Sequence, residues 1–155
     1  MRLPLFLLLT LIAIALPMLN ADAAETKQID AEQIVERRVI KVDPAGFETV
    51  TFETAKLVKP GDYLRYSIHY ENNLDAPAEN IILTMPVPEV MDYVVGSAAP
   101  KSYPYEVSFD AGATFKLAEE STFSPDRRVT HIRWQLEHTV APGESGTVSV
   151  DALLR

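Results

Sequence analysis

The chain has 155 residues, with 14 Lys and Arg against 22 Asp and Glu, a formal net charge of −8 and no cysteine. That length fits one domain; the missing cysteine excludes disulfide scaffolds, thiolate metal sites and cysteine nucleophiles, and the acidic balance argues against nucleic acid as a partner. At 47% apolar and 23% charged, the chain carries enough apolar surface for a core and is not a disordered acidic tail.

Residues 1–23 are expected to be a secretory signal peptide. Arg2 supplies the positive start, Leu3 to Leu19 carry no charge, and Ala21-Asp22-Ala23 forms a small-residue cleavage box with Ala23 last before the cut. An uncleaved anchor is the competing reading; the apolar run is at the short end of what spans a bilayer and Pro17 interrupts it. No later run reaches spanning length, so no stable membrane insertion is expected after cleavage. The expected location is periplasmic or extracellular.

Residues 24–46 read as an N-terminal arm and 47–155 as the folded domain. Residues 24–31 are polar and read as loose. Gln33 to Val42 reads as an extra strand with one wet face, although Ala31-Glu32-Gln33-Ile34 could also nucleate a helix. Such a strand either covers a sheet edge or pairs with a partner by strand addition. Asp43-Pro44-Ala45-Gly46 is a turn, and Phe47 to Val58 follows with Val50 and Phe52 on one face. Lys59-Pro60-Gly61-Asp62 has the chemistry of a type II turn, with Pro at the second position and Gly at the third.

Leu64, Tyr66, Ile68 and Tyr70 alternate with Tyr63, Arg65, Ser67 and His69, which predicts a strand with one buried face. After the loop Glu71 to Ala78, Ile81 to Met85 is a short strand stopped by Pro86 and Pro88. Met91 to Val95 is a further apolar patch. Tyr105 to Phe109 and Thr114 to Leu117 flank Asp110-Ala111-Gly112-Ala113, a hairpin signal. Val129 to Leu136 places Ile132, Trp134 and Leu136 on one side; Thr147 to Leu154 points Val148, Val150, Ala152 and Leu154 inward. Val140-Ala141-Pro142-Gly143-Glu144 reuses the chemistry of Val58-Lys59-Pro60-Gly61-Asp62, as a second use of one local solution.

About eight short strands with turn signals between them predict an all-β antiparallel sandwich. Trp134 is the expected central plug, with Tyr66, Phe52 and Phe109 around it.

Several segments in fixed order carry a family resemblance: Val58 to Asp62, Leu64 to Ile68, Tyr70 to Asn73, Ala78 to Ile81, Tyr93 to Ala98, Ser108 to Phe115, Ile132 to Trp134 and Ala141 to Val148. From about Phe47 to the C-terminus the chain resembles a conserved bacterial extracellular repeat domain of unknown function, an immunoglobulin-like module of exported and surface proteins. The resemblance implies a β-sandwich, export and a structural or adhesive role, and brings no catalytic residues with it. The chain departs from it in having one copy and in carrying Ala111 where relatives often have glycine.

No catalytic residues, cofactor or metal site are expected. His69 and His131 fall on outward positions and, were their strands neighbours, would approach each other with Glu71 as a third ligand; solvated histidines are the plainer reading. Gly143-Glu144-Ser145-Gly146 lacks the spacing of a nucleophile elbow, and a hydrolase would need a convergent Ser, His and acid. Asp43, Asp62, Asp75, Asp110 and Asp126 sit in or beside turns, where carboxylates ordinarily bond local backbone. Lys56 with Asn80 has no feature that marks it as an isopeptide pair. Tyr103 and Tyr105, flanking Pro104, either cap one end of the core or form a loop surface that recognises an envelope protein, peptide or glycan. The expected function is therefore non-enzymatic, structural or interaction-based, with ligand binding around Tyr103 and Tyr105 as the alternative.

Overall fold

The predicted alternation from Tyr63 to Tyr70 builds the middle of the protein. The computed structural model describes residues 28–155; the signal peptide, its Ala23 boundary and residues 24–27 lie outside them. Nine strands follow in order: β1 (Ile29–Val42), β2 (Glu48–Thr54), β3 (Tyr63–Asn72), β4 (Ile82–Pro86), β5 (Met91–Tyr93), β6 (Tyr105–Ser108), β7 (Lys116–Leu117), β8 (His131–Gln135) and β9 (Ser145–Leu154). Among the described residues the one helical piece is a 3-10 turn at Glu120–Thr122, and no helix is long and apolar enough to cross a membrane.

The strands form two antiparallel sheets, ordered β2-β1-β3-β9-β5 and β4-β8-β6-β7. Their facing sides share one core. Leu64, Ile68, Tyr70, Val148, Val150 and Ala152 come from the first sheet; Leu83, Met85, Val107, Ile132 and Trp134 come from the second. Trp134 is fully buried, as its alternation with Arg133 and Gln135 predicts. Its Nε1 has no hydrogen-bond acceptor among the described residues.

The two Pro-Gly-acid turns are the two ends of one ladder. In the first, Asp62 N–H donates to Lys59 O (3.0 Å) while the Asp62 carboxylate accepts from Lys59 N–H (3.0 Å). In the second, Glu144 N–H donates to Ala141 O (2.9 Å) and its carboxylate accepts from Ala141 N–H (2.8 Å). Gly61 and Gly143 take positive φ values of 93° and 75°, which a Cβ would oppose. Gly61 N–H then bonds Leu154 O, and Gly143 N–H bonds Asn72 O (2.8 and 2.7 Å). Each turn thus starts one strand and closes the far end of its neighbour. The β3–β9 pair has a local two-fold centred on the Ser67–Ser149 pair.

Two expectations need correction. Residues 29–31 are not loose: they pair with Asn72, Glu71 and Tyr70 and belong to β1, which is a strand and not a helix. Phe52 does not surround Trp134. It pairs with Arg38 on the outward face of the β1–β2 hairpin, where the second sheet offers no cover, and it lies under the Arg65 guanidinium at 3.7 Å. Tyr66, Phe109 and Leu154 are partly buried and pack against the core.

Candidate functional site

His69 is on β3 and His131 on β8, strands of opposite sheets, so the two are not brought together. His69 Nδ1 lies 3.2 Å from Thr147 Oγ1, and His131 Nδ1 lies 3.3 Å from Thr130 Oγ1. His138 Nε2 is 3.8 Å from Glu144, and its ring is 5.6 Å from that of Tyr103. His69 lines a small cleft of about 350 Å³ with Asp30, Glu32 and Glu71. Among the described residues, no group of three or more His, Cys, Asp or Glu is placed to hold a metal ion.

The turn carboxylates bond local groups. Asp43 accepts from Ala45 and Phe47 N–H at 2.9 Å; Asp126 accepts from Ser124. Asp110 accepts from Thr114 N–H (2.9 Å) and Oγ1 (2.6 Å) and from Ser108 Oγ (2.7 Å). The Thr114 hydroxyl, with the Thr114 amide and Ser108, holds the Asp110 carboxyl down to about 2. Lys56 and Asn80 are both exposed, so neither has the burial an isopeptide pair needs.

Tyr103 and Tyr105 are both half-buried against the core, but they serve different neighbours. Tyr105 stands 6.4 Å from the Trp134 ring and accepts a hydrogen bond from the Tyr93 hydroxyl at 2.9 Å. Burial first, then that bond, pushes the Tyr93 hydroxyl above the ordinary phenol range. Tyr103 stacks on His138; the nearby Tyr70 hydroxyl is likewise raised, mainly by burial and then by Tyr103.

Tyr93 also connects Tyr105 to the larger cleft, of about 710 Å³, between β5 and residues 123–129. Tyr93 and Phe123, with ring centres 6.0 Å apart, contribute aromatic wall, and Arg127, Arg128 and Arg155 surround it. Arg127 rides 4.6 Å over Phe109 and donates to Thr122 O. Arg128 and Arg155 both donate to Glu89 O, and Arg155 lies 3.5 Å from Asp92. Three arginines and two aspartates, Asp92 and Asp126, therefore line one site, a net positive spot on a chain with net charge −8.

No family model, curated protein or solved structure matches the chain.

The most unusual surface is the β1–β2 hairpin. The extra strand starts at Ile29 and covers the β3 edge, the first of the two roles open to it, and the free edge passes outward to β2. Neither hairpin strand supplies a buried core residue; Val35 alone of them packs partly against the core. Yet Ile40, Val42, Phe47 and Val50 are 50%, 62%, 71% and 44% exposed. Ile40 and Val50 are direct cross-strand partners on the outward face.

The β1–β3 ladder joins this hairpin to the body, and Arg65 adds a side-chain tie to β2. That arginine makes a two-point contact with Asp151 (2.8 and 3.1 Å) across β9 while stacking on Phe52 of β2. The outer face of the second sheet repeats the device: Arg133 bonds Glu106 (2.8 Å) and stacks on Phe115 at 3.9 Å. Sequence reasoning missed both, because Asp151 is 86 residues from Arg65 and Glu106 is 27 from Arg133. The one signal available was an arginine at the outward position of each of the two clearest strands.

Proposed function

We propose that this protein is an exported, non-enzymatic β-sandwich of immunoglobulin-like type that works by protein contact in the bacterial envelope, with the β1–β2 hairpin as its contact element. One observation carries the reading: a long strand and its edge partner add nothing buried to the core while leaving large apolar side chains in water. Such exposure costs solubility and marks an interaction surface. The likeness to a bacterial extracellular module supports the same reading, as does the leader-like N-terminus.

A photo-crosslinking residue at Phe47 or Val50, in cells then separated into cytoplasm, periplasm and medium, tests it. Crosslinked protein in the exported fractions is expected. The reading is overturned if the protein stays in the cytoplasm, or if the hairpin crosslinks no better than a probe at Thr84 on the outer face of the second sheet.

A second reading, recognition of a peptide or glycan near Tyr105, is favoured by the arginine-lined cleft whose wall residue Tyr93 bonds Tyr105. Arginine pairs naturally with carboxylate or phosphate, so an acidic glycan or peptide is the expected ligand class. Arg128→Ala should abolish its capture if the cleft is the site.

A further inference from the structure

We infer that the partner of the β2 edge is a second copy of this chain, joined through antiparallel β2–β2 pairing about Thr51 into one continuous ten-stranded sheet. This rests on the proposal that the hairpin is a contact element, and it names the occupant.

The hydrogen-bond parity of the hairpin determines which groups are free. Asp43 N–H bonds Phe47 O, and Ala55 N–H bonds Val35 O, within the same register that pairs Glu36 with Thr54. In an antiparallel ladder bonded pairs alternate with non-bonded ones. Thr49, Thr51, Glu53 and Ala55 therefore bond inward to β1. The backbone N–H and C=O of Glu48, Val50, Phe52 and Thr54 point to the open edge, beyond which no strand lies among the described residues.

That edge carries two acids, Glu48 and Glu53, but none of the other usual protections. It has no proline, no lysine and no bulge over Glu48–Thr54, and it reads Glu-Thr-Val-Thr-Phe-Glu-Thr, rich in β-branched and aromatic residues. A two-fold through its central residue, Thr51, uses its whole length. Glu48 then meets Thr54 of the second copy, Val50 meets Phe52, and Thr49 meets Glu53. Each outward backbone group meets another outward group, so the bonds close in reciprocal pairs. Neither carboxylate faces another carboxylate, which matters in a chain with net charge −8. Shifting the register by one residue, which moves the axis to a point between two residues, breaks the match of faces. Centring on Val50 or Phe52 keeps the faces but leaves one end of the strand unpaired.

The same geometry yields a specific test. Thr51 bonds inward, so across the two-fold it forms a non-bonded pair with its own copy, at a Cα separation of about 4.5 Å. That lies within the range a disulfide bridges, about 4.4–6.8 Å. The natural chain has no cysteine to compete. Purified Thr51→Cys protein should therefore form a disulfide dimer under mild oxidation. Thr49→Cys, whose two copies would stand roughly 13 Å apart along the ladder, should not. In parallel, sedimentation of the unmodified protein across a concentration series should show twice the monomer mass.

Val50→Pro separates the edge from the fold. Its N–H points outward, so proline removes an intermolecular donor and leaves the β1 ladder intact. Val50→Pro should sediment as a folded monomer with unchanged circular dichroism. The inference is overturned by a monomer mass at every concentration, by a dimer that survives Val50→Pro, or by Thr49→Cys crosslinking as readily as Thr51→Cys. A monomer whose hairpin crosslinks a different exported protein overturns this pairing while supporting the contact reading; a hairpin that crosslinks nothing overturns both.

Discussion

The Tyr70 ring occupies the space that a side chain at Gly146 would fill. The two are cross-strand partners on β3 and β9, and a Cβ built at position 146 would come within 2.9 Å of Tyr70 Cε1. Gly146 has no positive φ to explain it, so close approach is the reason for glycine here. Tyr70 is almost fully buried, so the ring has little room to move. Gly146→Ala should destabilise the protein by about 1–3 kcal/mol, the usual cost of overpacking. A shift of the urea midpoint at unchanged slope is the measurement.

The Asp110-Ala111-Gly112-Ala113 turn contains a strained residue. Ala111 has φ 58° and Gly112 φ 85°. A non-glycine residue in the left-handed region costs about 1–2 kcal/mol, and the greater unfolded-state freedom of glycine offsets part of any relief. Ala111→Gly should therefore raise stability by about 0.5–1 kcal/mol. Gly112→Ala should lower it, because its backbone is left-handed; the His131 ring, 3.6 Å from where the Cβ would sit, is in ordinary contact and adds no clash. Thermal unfolding of both variants reads the opposite signs.

Asp110 makes the same hairpin acid-sensitive. Its carboxyl lies near 2 in the folded protein against an ordinary value of 3.8, chiefly because Thr114 donates to it. The folded state therefore prefers the ionised form. That preference stabilises the protein in full above the ordinary carboxylate range and is lost as pH falls from there through about 2. Carboxyl carbon NMR should show Asp110 titrating near 2, well below its ordinary value of 3.8. Thr114→Ala should move it up towards the ordinary value.

Arg65 is a side-chain fastening between β2 and the body, added to the β1–β3 ladder. Arg65→Met keeps the aliphatic length but loses both the Asp151 pair and the charge over Phe52. Such cation–π contacts contribute about 0.5–2 kcal/mol. Amide exchange at Thr49, Thr51 and Glu53 should quicken by about tenfold, equivalent to ~1.4 kcal/mol of local opening, while Ile132 and Val148 amides keep their protection. Equal acceleration in β8 would show that Arg65 supports the whole sandwich instead.

Asn72 has a structural role that its sequence neighbours hide. Its side chain is fully buried; Nδ2 donates to Ala76 O (3.0 Å) and Val140 O (2.8 Å), and Oδ1 accepts from Leu74 N–H (3.0 Å). Read as part of a polar loop, it is in fact the end of β3 and holds the β8–β9 connection. Asn72→Leu should cost about 1–3 kcal/mol, measurable by urea unfolding, since buried backbone groups lose their partners.

Local alternation made the strands legible. Leu64 to Tyr70 and Ile132 to Leu136 specify which face is buried, and the structure seats Trp134 accordingly. The paired turns were legible because Pro, Gly and an acid act within four residues. Phe52 was misplaced for the opposite reason. Alternation shows that Val50 and Phe52 share a face, but not whether a second sheet lies above it.

Sequence alone therefore determined the all-β class, the turns and the inward parity of the core strands, because these depend on backbone sterics and a two-residue period within one short segment. Tertiary structure alone decided the sheet order, the separation of His69 from His131, the Arg65–Asp151 fastening and the open β2 edge. Each of these needs segments far apart in the chain to meet, and that choice rests on the packing of the whole rather than on any one stretch.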